Sequence, residues 1–314
     1  MGRNNILITG GAGFIGSHLA TRFNELGHAV RVLDNFSTGR RENIVHLDGK
    51  IEVVEGDLRH REECERACRD IDVVFHIAAL PSVPVSVERP VDTHDTNSTG
   101  TLNLLLAVRE NKCRRVIYAG SSSCYGNIDV SPKHEGLCPE PLSPYAAQKL
   151  AGEHYMRVFY ECYGVETLTT RFFNVFGPRQ NPKSQYAAVI PAFITSILDN
   201  QPPTIHGDGG QTRDFTYIEN IVHGYMLALD AEQVAGQSVN IACGDQISVL
   251  DIVNRVNALL GKDVRPEFTA PRAGDVRHSC ADISAARELL GYHPVVSFDD
   301  GLQRSIDYYA SLAG

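Results

Sequence analysis

Apolar residues in the N-terminal half come in short, nearly unbroken runs: Ile6, Leu7 and Ile8 within Asn5 to Thr9, then Ala29 to Asp34, Ile51 to Glu55, Val73 to Ile77, Arg115 to Ala119 and Thr167 to Phe172. Runs this short and rich in β-branched residues predict strands buried on both faces. The segments between them carry helical spacing, as in Ser17, Leu19 and Phe23. Strand and helix in alternation predict an α/β fold, a doubly wound parallel sheet with helices on both faces. Beyond about Asn174 the alternation weakens and turn clusters appear, at Gly177-Pro178, Pro202-Pro203 and Gly207 to Gly210. A smaller, mixed α/β domain grafted onto the sheet is expected there. On this reading residues 1–174 and 214–242 form the larger domain, and residues 175–213 and 243–314 the smaller. Late helices are predicted after Ser248, with Asp251 as its capping partner, and across Ile283 to Leu290 and Gly301 to Tyr309.

Composition narrows the class. The chain has 314 residues, 43% hydrophobic and 21% charged, which supplies a large core and argues against disorder. The net charge of -9 is spread along the chain, so no basic face points to nucleic acid or an anionic membrane. No apolar run approaches the roughly 18 residues of a membrane span. The N-terminus runs directly into a strand pattern, not a signal peptide. Eight scattered cysteines fit reduced thiols in a cytoplasm. Cys64 and Cys68 lie one helical turn apart without further ligands, so no metal site is expected.

The first strand leads into Gly10-Gly11-Ala12-Gly13-Phe14-Ile15-Gly16 and then a helix pattern. Glycines at 10, 13 and 16 allow a tight turn, close approach to a pyrophosphate and tight helix packing, while the amides from Phe14 and Ile15 onward open the helix. The second strand ends in Asp34, eighteen residues after Gly16, where a carboxylate can accept from a ribose 2′-OH. Together these features predict a Rossmann dinucleotide site. A 2′-phosphate would meet a like charge at Asp34, so the cofactor expected is NAD and not NADP. Arg40 and Arg41 read as solvated loop charges. Asp57-Leu58 follows the third strand, either at the adenine edge or as a plain turn.

Ser143-Pro144 then opens a helix carrying Tyr145 and Lys149, four residues apart and so on one face. A phenol is a poor base at neutral pH, but a neighbouring ammonium and a cationic nicotinamide both favour its phenolate. Tyr145 can then take an alcohol proton while hydride leaves the same carbon.

Taken in order, Thr9-Gly10 to Gly16, Asp34-Asn35, Gly56-Asp57-Leu58, His76-Ile77-Ala78-Ala79, Asn97, Ser121 to Gly126, Tyr145 to Lys149 and Arg171 to Asn174 resemble the extended short-chain dehydrogenase/reductases along nearly the whole chain. The resemblance implies that Asn35, Ala78, Ala79 and Asn97 join the cofactor set. It also implies that Ser121, with Ser122 and Ser123 beside it, meets the reacting sugar hydroxyl. The family's 4,6-dehydratases carry an Asp-Glu pair where this chain reads Ser123-Cys124, and its decarboxylases a glutamate. Their absence leaves reversible alcohol oxidation. The resemblance leans towards a UDP-hexose 4-epimerase that passes through a 4-keto intermediate.

It further implies that Asn174, Arg213 and Arg272 grip the diphosphate, that Asp275 meets the uridine ribose, and that Tyr186 to Pro191, including Val189, lies along the base. Ser279 stands where epimerases restricted to non-acetylated sugars carry tyrosine, and so leaves room for a 2-acetamido group. The stretch is similar to UDP-N-acetylglucosamine 4-epimerases. A UDP-glucose or UDP-glucuronate 4-epimerase is the alternative, and a non-catalytic NAD-binding scaffold the reading from another class. A homodimer is expected through the helices after Asn97 and Tyr145. Their outer faces offer Leu102, Leu105, Leu106, Tyr155, Val158 and Phe159, unless these residues face the sheet.

Overall fold

The computed structural model describes residues 2–182, 188–271 and 277–313. Strand β1 (Asn5–Thr9) runs into α1 (Phe14–Glu25), followed by β2 (Ala29–Asp34), β3 (Glu52–Glu55), α2 (Arg61–Cys68) and β4 (Val73–His76). Two short helices, α3 (Val83–Glu88) and α4 (Pro90–His94), and a π-type turn at Asp95–Thr99 lead into α5 (Gly100–Glu110) and β5 (Arg115–Ser121). Helix α6 (Pro144–Tyr163) returns to β6 (Glu166–Phe172). The chain then leaves the sheet for β7 (Val175–Phe176), α7 (Val189–Leu198), β8 (Thr204–His206), β9 (Thr212–Arg213) and β10 (Thr216–Tyr217), and comes back through α8 (Ile218–Asp230) to β11 (Gln237–Ile241). It ends with β12 (Ile247–Ser248), α9 (Val249–Leu260), β13 (Glu267–Thr269), β14 (His278–Ser279), α10 (Ser284–Leu290) and α11 (Phe298–Ala313).

Seven strands pair in parallel in the order β11-β6-β5-β4-β1-β2-β3. The winding reverses between β1 and β4, and the loops leaving their carboxyl ends border a crevice there. Successive strand residues point to opposite faces, so each run feeds two cores. Ile6, Ile8, Phe75 and Ile117 pack with Leu19 and Phe23 of α1 and Tyr225 of α8. Leu7, Val74, Val116 and Tyr118 pack on the other face, with Cys64 of α2, Leu104 of α5 and Met156 of α6. The first core continues unbroken into Ile252 and Val256 of α9 and Leu302 of α11. At the edge of the sheet, β3 carries Glu52, Glu55 and an exposed Val53; charge there discourages pairing with another chain.

Helix ends follow local chemistry. The Ser143 hydroxyl accepts from the Ala146 amide, Pro144 occupies the first turn, and Gly164 closes α6 in the left-handed region at φ 70°. Ser248 caps α9 by accepting from the Asp251 amide, and Gly261 ends that helix in the same way as Gly164.

The apolar faces of α5 and α6 divide between the two alternatives, the core and the surface. Leu105 and Phe159 are buried in the molecule's own core, and Leu102, Leu106 and Tyr155 pack half-buried against it. The sheet claims these side chains because they sit on the stripe facing Val116 and Val74. Only Val158, at 45% relative exposure, is fully outward among the six.

Candidate active site

The glycine turn connects β1 to α1. Gly10 sits at φ 68°, and a Cβ there would lie 2.8 Å from the Ala78 backbone. At Gly16 a Cβ would stand 2.2 Å from the Gly10 carbonyl, so the helix can approach the turn only without a side chain. Gly13 offers no side-chain cap to α1. The first-turn amides of Phe14, Ile15 and Gly16 therefore lack both an intrahelical acceptor and a cap, leaving positive potential for an anion. Asp34 is buried beside the turn. Its Oδ2 accepts from the Ala12 amide at 2.9 Å and its Oδ1 from Phe36 at 2.8 Å, leaving a lone pair on each oxygen. Burial raises its pKa, and these two amides work against the rise. Asn35 and Asp57 bond one another at 2.9 Å. Burial opposes ionisation of Asp57, but hydrogen bonds from Arg59 and Asn35 outweigh it and hold the carboxyl well below its ordinary value. Leu58 is buried against Gly100.

A second set of contacts crosses the crevice. Thr101 gives its hydroxyl proton to the Asn97 carbonyl at 2.7 Å, so its oxygen accepts from His76 Nε2 at 2.9 Å. His76 Nδ1 then accepts from the Thr9 hydroxyl at 2.8 Å, and the Thr9 oxygen accepts from the Ala78 amide at 3.2 Å. Burial lowers the His76 pKa to about 3, with the Lys149 cation acting in the same sense, so the ring is neutral. Ala78 and Ala79 lie on the loop held this way. Asn97, expected in the cofactor set, has protein partners on its amide: Oδ1 accepts from Leu80 N at 2.8 Å, and Nδ2 donates to Leu80 O at 3.3 Å and Gln148 Oε1 at 3.0 Å. It fixes the loop against α6.

Helix α6 brings Tyr145 and Lys149 to the carboxyl end of β5, beside Ser121. The Tyr145 backbone amide donates to the buried Ser86 hydroxyl at 3.0 Å, and Gln148 donates to Thr93 at 3.0 Å, so both residues flanking the reactive turn are anchored from α3 and α4. Burial pushes the Tyr145 phenol up to about 12, while a hydrogen bond with Ser121 draws it down. Ser121 and Ser123 share a 2.8 Å hydroxyl contact. Ser122 is half-buried in the same turn. Lys149 is 4% exposed, and burial alone lowers its pKa to about 7. Its ammonium lies 4.6 Å from the ring centre of Tyr118, a residue no motif singled out. The arrangement can receive an alcohol proton at Tyr145 with an adjacent hydroxyl and a cation in reach.

On the other side of the crevice, β14 pairs with β9 so that Ser279 lies directly across from Arg213. Asp214 follows Arg213 into a fully buried position, where its carboxylate accepts from the amides of Cys243 at 3.0 Å, Gly244 at 2.9 Å and Ala281 at 3.2 Å. Burial raises its pKa to about 6 against those three donors. Exposed Asn174, at φ 30°, donates to the Asp214 carbonyl at 3.2 Å. Asn174, Arg213 and Ser279 are thus brought together. Val189 opens α7, whose first turn has no side-chain cap. Arg272, Asp275, Tyr186 and Ala187 lie outside the described residues. Asp214 was not foreseen. Its signal, an acidic residue just before the largely apolar run Phe215 to Ile218, is faint.

The model of the NAD-dependent epimerase/dehydratase family matches residues 6–242. The chain belongs to that family. A UDP-N-acetylglucosamine 4-epimerase from Methanobrevibacter ruminantium, solved with UDP-N-acetylmuramic acid, is 36% identical, with a TM-score of 0.95 over 99% of this chain and 100% of its own. A UDP-glucuronic acid 4-epimerase from Bacillus cereus, solved with UDP-glucuronic acid and NAD, is 35% identical, with a TM-score of 0.91 over 98% and 99%. A UDP-glucose 4-epimerase from Mycolicibacterium smegmatis is 34% identical over 96% of this chain and 97% of its own. The family's cofactor is NAD. The residues here fit it: a cradle that any Cβ at positions 10 or 16 would fill, an uncapped helix start, and a buried carboxylate at the end of β2.

The buried lysine has a measurable cost. With its folded pKa near 7 and an unfolded value near 10.5, Lys149 keeps its proton longer in the unfolded state. The wild type is therefore penalised fully below pH 7, and its stability rises between pH 7 and about 10. Lys149→Met is expected to be more stable than wild type at pH 6, in urea unfolding of NAD-free protein. Its advantage should shrink by up to about 1.4 kcal/mol per pH unit across that window. A difference that does not vary with pH would show that the ammonium is solvated.

Proposed function

We propose that this NAD-dependent UDP-sugar 4-epimerase interconverts UDP-N-acetylglucosamine and UDP-N-acetylgalactosamine by inverting carbon 4 through a transient 4-keto sugar. NAD, when bound, supplies a reversible hydride acceptor. Tyr145 takes the 4-hydroxyl proton and later returns it. Ser121 holds that hydroxyl, with Ser122 and Ser123 completing the turn around it. Burial holds the Tyr145 phenol high and the Ser121 hydrogen bond draws it down; the Lys149 ammonium, on the same helix face, is assigned the further part of favouring the phenolate. Asn174, Arg213 and Arg272 are assigned to the diphosphate, where a guanidinium fork suits phosphate oxygens. Asp275 is assigned to the ribose and Val189 to the base. The turn Ser122 to Tyr125 carries no carboxylate, which favours epimerisation over elimination or decarboxylation.

The observation that carries the acetylated substrate is Ser279, a small side chain directly across from Arg213. A sugar whose diphosphate is gripped at Arg213 would meet only a serine at residue 279, which suits a 2-acetamido group. The likeness to a UDP-N-acetylglucosamine 4-epimerase supports the same choice. Relatives named for UDP-glucose and UDP-glucuronic acid favour a second reading, in which UDP-glucose is also turned over. A roomy pocket rejects a smaller ligand only weakly.

Tyr145→Phe is expected to lower turnover at least 100-fold while NAD stays bound, since only the proton acceptor is lost. Retention of more than about a tenth of the wild-type rate would remove Tyr145 from this role. Substrate choice is tested by following UDP-GlcNAc, UDP-Glc and UDP-GlcA by NMR in parallel, with wild type and Ser279→Tyr. The added phenol should cut kcat/KM for UDP-GlcNAc about tenfold or more and spare UDP-Glc. An unchanged ratio between the two sugars would sink the assignment of Ser279. The third proposal is a homodimer through α5 and α6 with Val158 at the seam. Sedimentation at micromolar concentration should give twice the chain mass, and a monomer would refute it.

A further inference from the structure

We propose that Tyr118 is a positioning residue whose ring keeps the Lys149 ammonium in its charged form, in the place a carboxylate would otherwise fill. The inference rests on the reading of Lys149 as the cation that assists Tyr145.

Lys149 is almost wholly buried, and no carboxylate pairs with it among the described residues. An isolated ammonium in such a place loses its proton unless something offsets the lost hydration. The contact within reach is the face of Tyr118, 4.6 Å from Nζ. A cation over an aromatic face is attracted by the ring's quadrupole, and more strongly when water is excluded. Tyr118 itself is fully buried on β5. Its ring is fixed on two sides. His76, its partner across the β4–β5 ladder, lies 5.3 Å away between ring centres. On the other side the phenol donates to the Lys149 carbonyl at 3.4 Å, and α6 approaches so closely that a Cβ at Gly152 would stand 2.3 Å from the phenol oxygen. Glycine at 152 is thus what lets the ring slide beneath the helix that carries Lys149.

The other groups facing this pair do not supply the missing negative charge. From β4, His76 is neutral. From α5, Thr101 offers only a hydroxyl, already used by His76 and Asn97. On α6 itself, Tyr145 is the group to be assisted, and the Glu153 carboxylate is held by Arg171 through Nε at 3.0 Å and Nη2 at 2.5 Å. From α8, the Tyr225 hydroxyl shares a 2.9 Å contact with Thr170. Among the described residues, the Tyr118 ring is the group left to stabilise the cation.

The test is the pH dependence of UDP-sugar epimerisation by wild type, Tyr118→Phe, Tyr118→Leu, Gly152→Ala and Lys149→Met. Phenylalanine keeps the ring face and should reproduce the wild-type profile, with a lower Tm from the lost hydroxyl contact. Leucine keeps the volume of a buried apolar residue but removes the quadrupole. Lys149 then loses its proton more readily, Tyr145 ionises less readily, and the rising limb should move up by roughly one pH unit, tenfold in the ionisation constant. Gly152→Ala, which pushes the ring aside, should shift the limb in the same direction. A Leu profile that only scales down uniformly, or a Phe profile shifted as far as the Leu one, would overturn the proposal while leaving Lys149 in its role. An unshifted limb in Lys149→Met would overturn the underlying reading of Lys149 and this proposal with it.

Discussion

A neutral imidazole at the point where the sheet reverses direction holds the site together. His76 can accept at Nδ1 and donate at Nε2 only because burial denies it a second proton, and this single tautomer orders the whole chain Ala78, Thr9, His76, Thr101, Asn97. Each member belongs to a different part of the fold: the loop after β4, the end of β1, the end of β4, α5 and the π-type turn. The loop at residues 78–80 and the glycine turn are therefore braced against one another before any ligand arrives. Asn97 extends the brace to Gln148, the residue preceding Lys149. The nucleotide side and the proton-transfer side of the crevice share one hydrogen-bonded frame. A protonated His76 would present a second donor to Thr9, and the Thr9 hydroxyl proton would lose its acceptor at Nδ1.

Within that frame burial pulls two ionisations in opposing directions. It raises the Tyr145 phenol to about 12 and lowers the Lys149 ammonium to about 7. Burial favours the neutral form of each. A site of this kind is costly to the resting protein and responsive to a cationic cofactor ring, because a positive charge nearby acts on the phenol in a space from which water has been removed. The four-residue spacing on α6 fixes the two groups on one face. The Ser86 and Thr93 contacts keep that face from rotating.

Much of this could be read from residue order. Strands β1 and β2 begin and end at the expected residues because each apolar run is bounded by turn-forming residues, and the helix caps at Ser143 and Ser248 follow from side-chain chemistry that is local by nature. The glycine turn, Asp34 and the pair Tyr145 and Lys149 were visible because their spacing is tied to a backbone requirement. What was not visible depends on tertiary placement. Tyr118 reads as one more member of a buried run, and only the glycine at 152, far along another element, hints at a ring beneath the helix. Leu105 and Phe159 looked equally suited to an interface and to the core, since periodicity marks a stripe without saying what it meets. Strand β11 did not stand out because Gln237-Ser238-Val239-Asn240-Ile241 interleaves polar residues, each with a buried or bridging partner of its own.

The clamp at Asp214 bears on how the chain assembles. Its carboxylate joins amides 29, 30 and 67 residues further along the sequence, so the second half of the crevice exists only after those long loops have closed. Loop closure costs entropy that must be met before such contacts repay it, whereas β1, α1 and β2 need only near neighbours. Only the β1-α1-β2 unit with its glycine turn closes locally; the β1–β4 pairing of Ile6 with Val73 spans the same 67 residues as the contact of Asp214 with Ala281. Opening the arm would strip all three amide donors from a buried carboxylate together, so the clamp ties the placement of Arg213 and Ser279 to the closure of two distant loops at once.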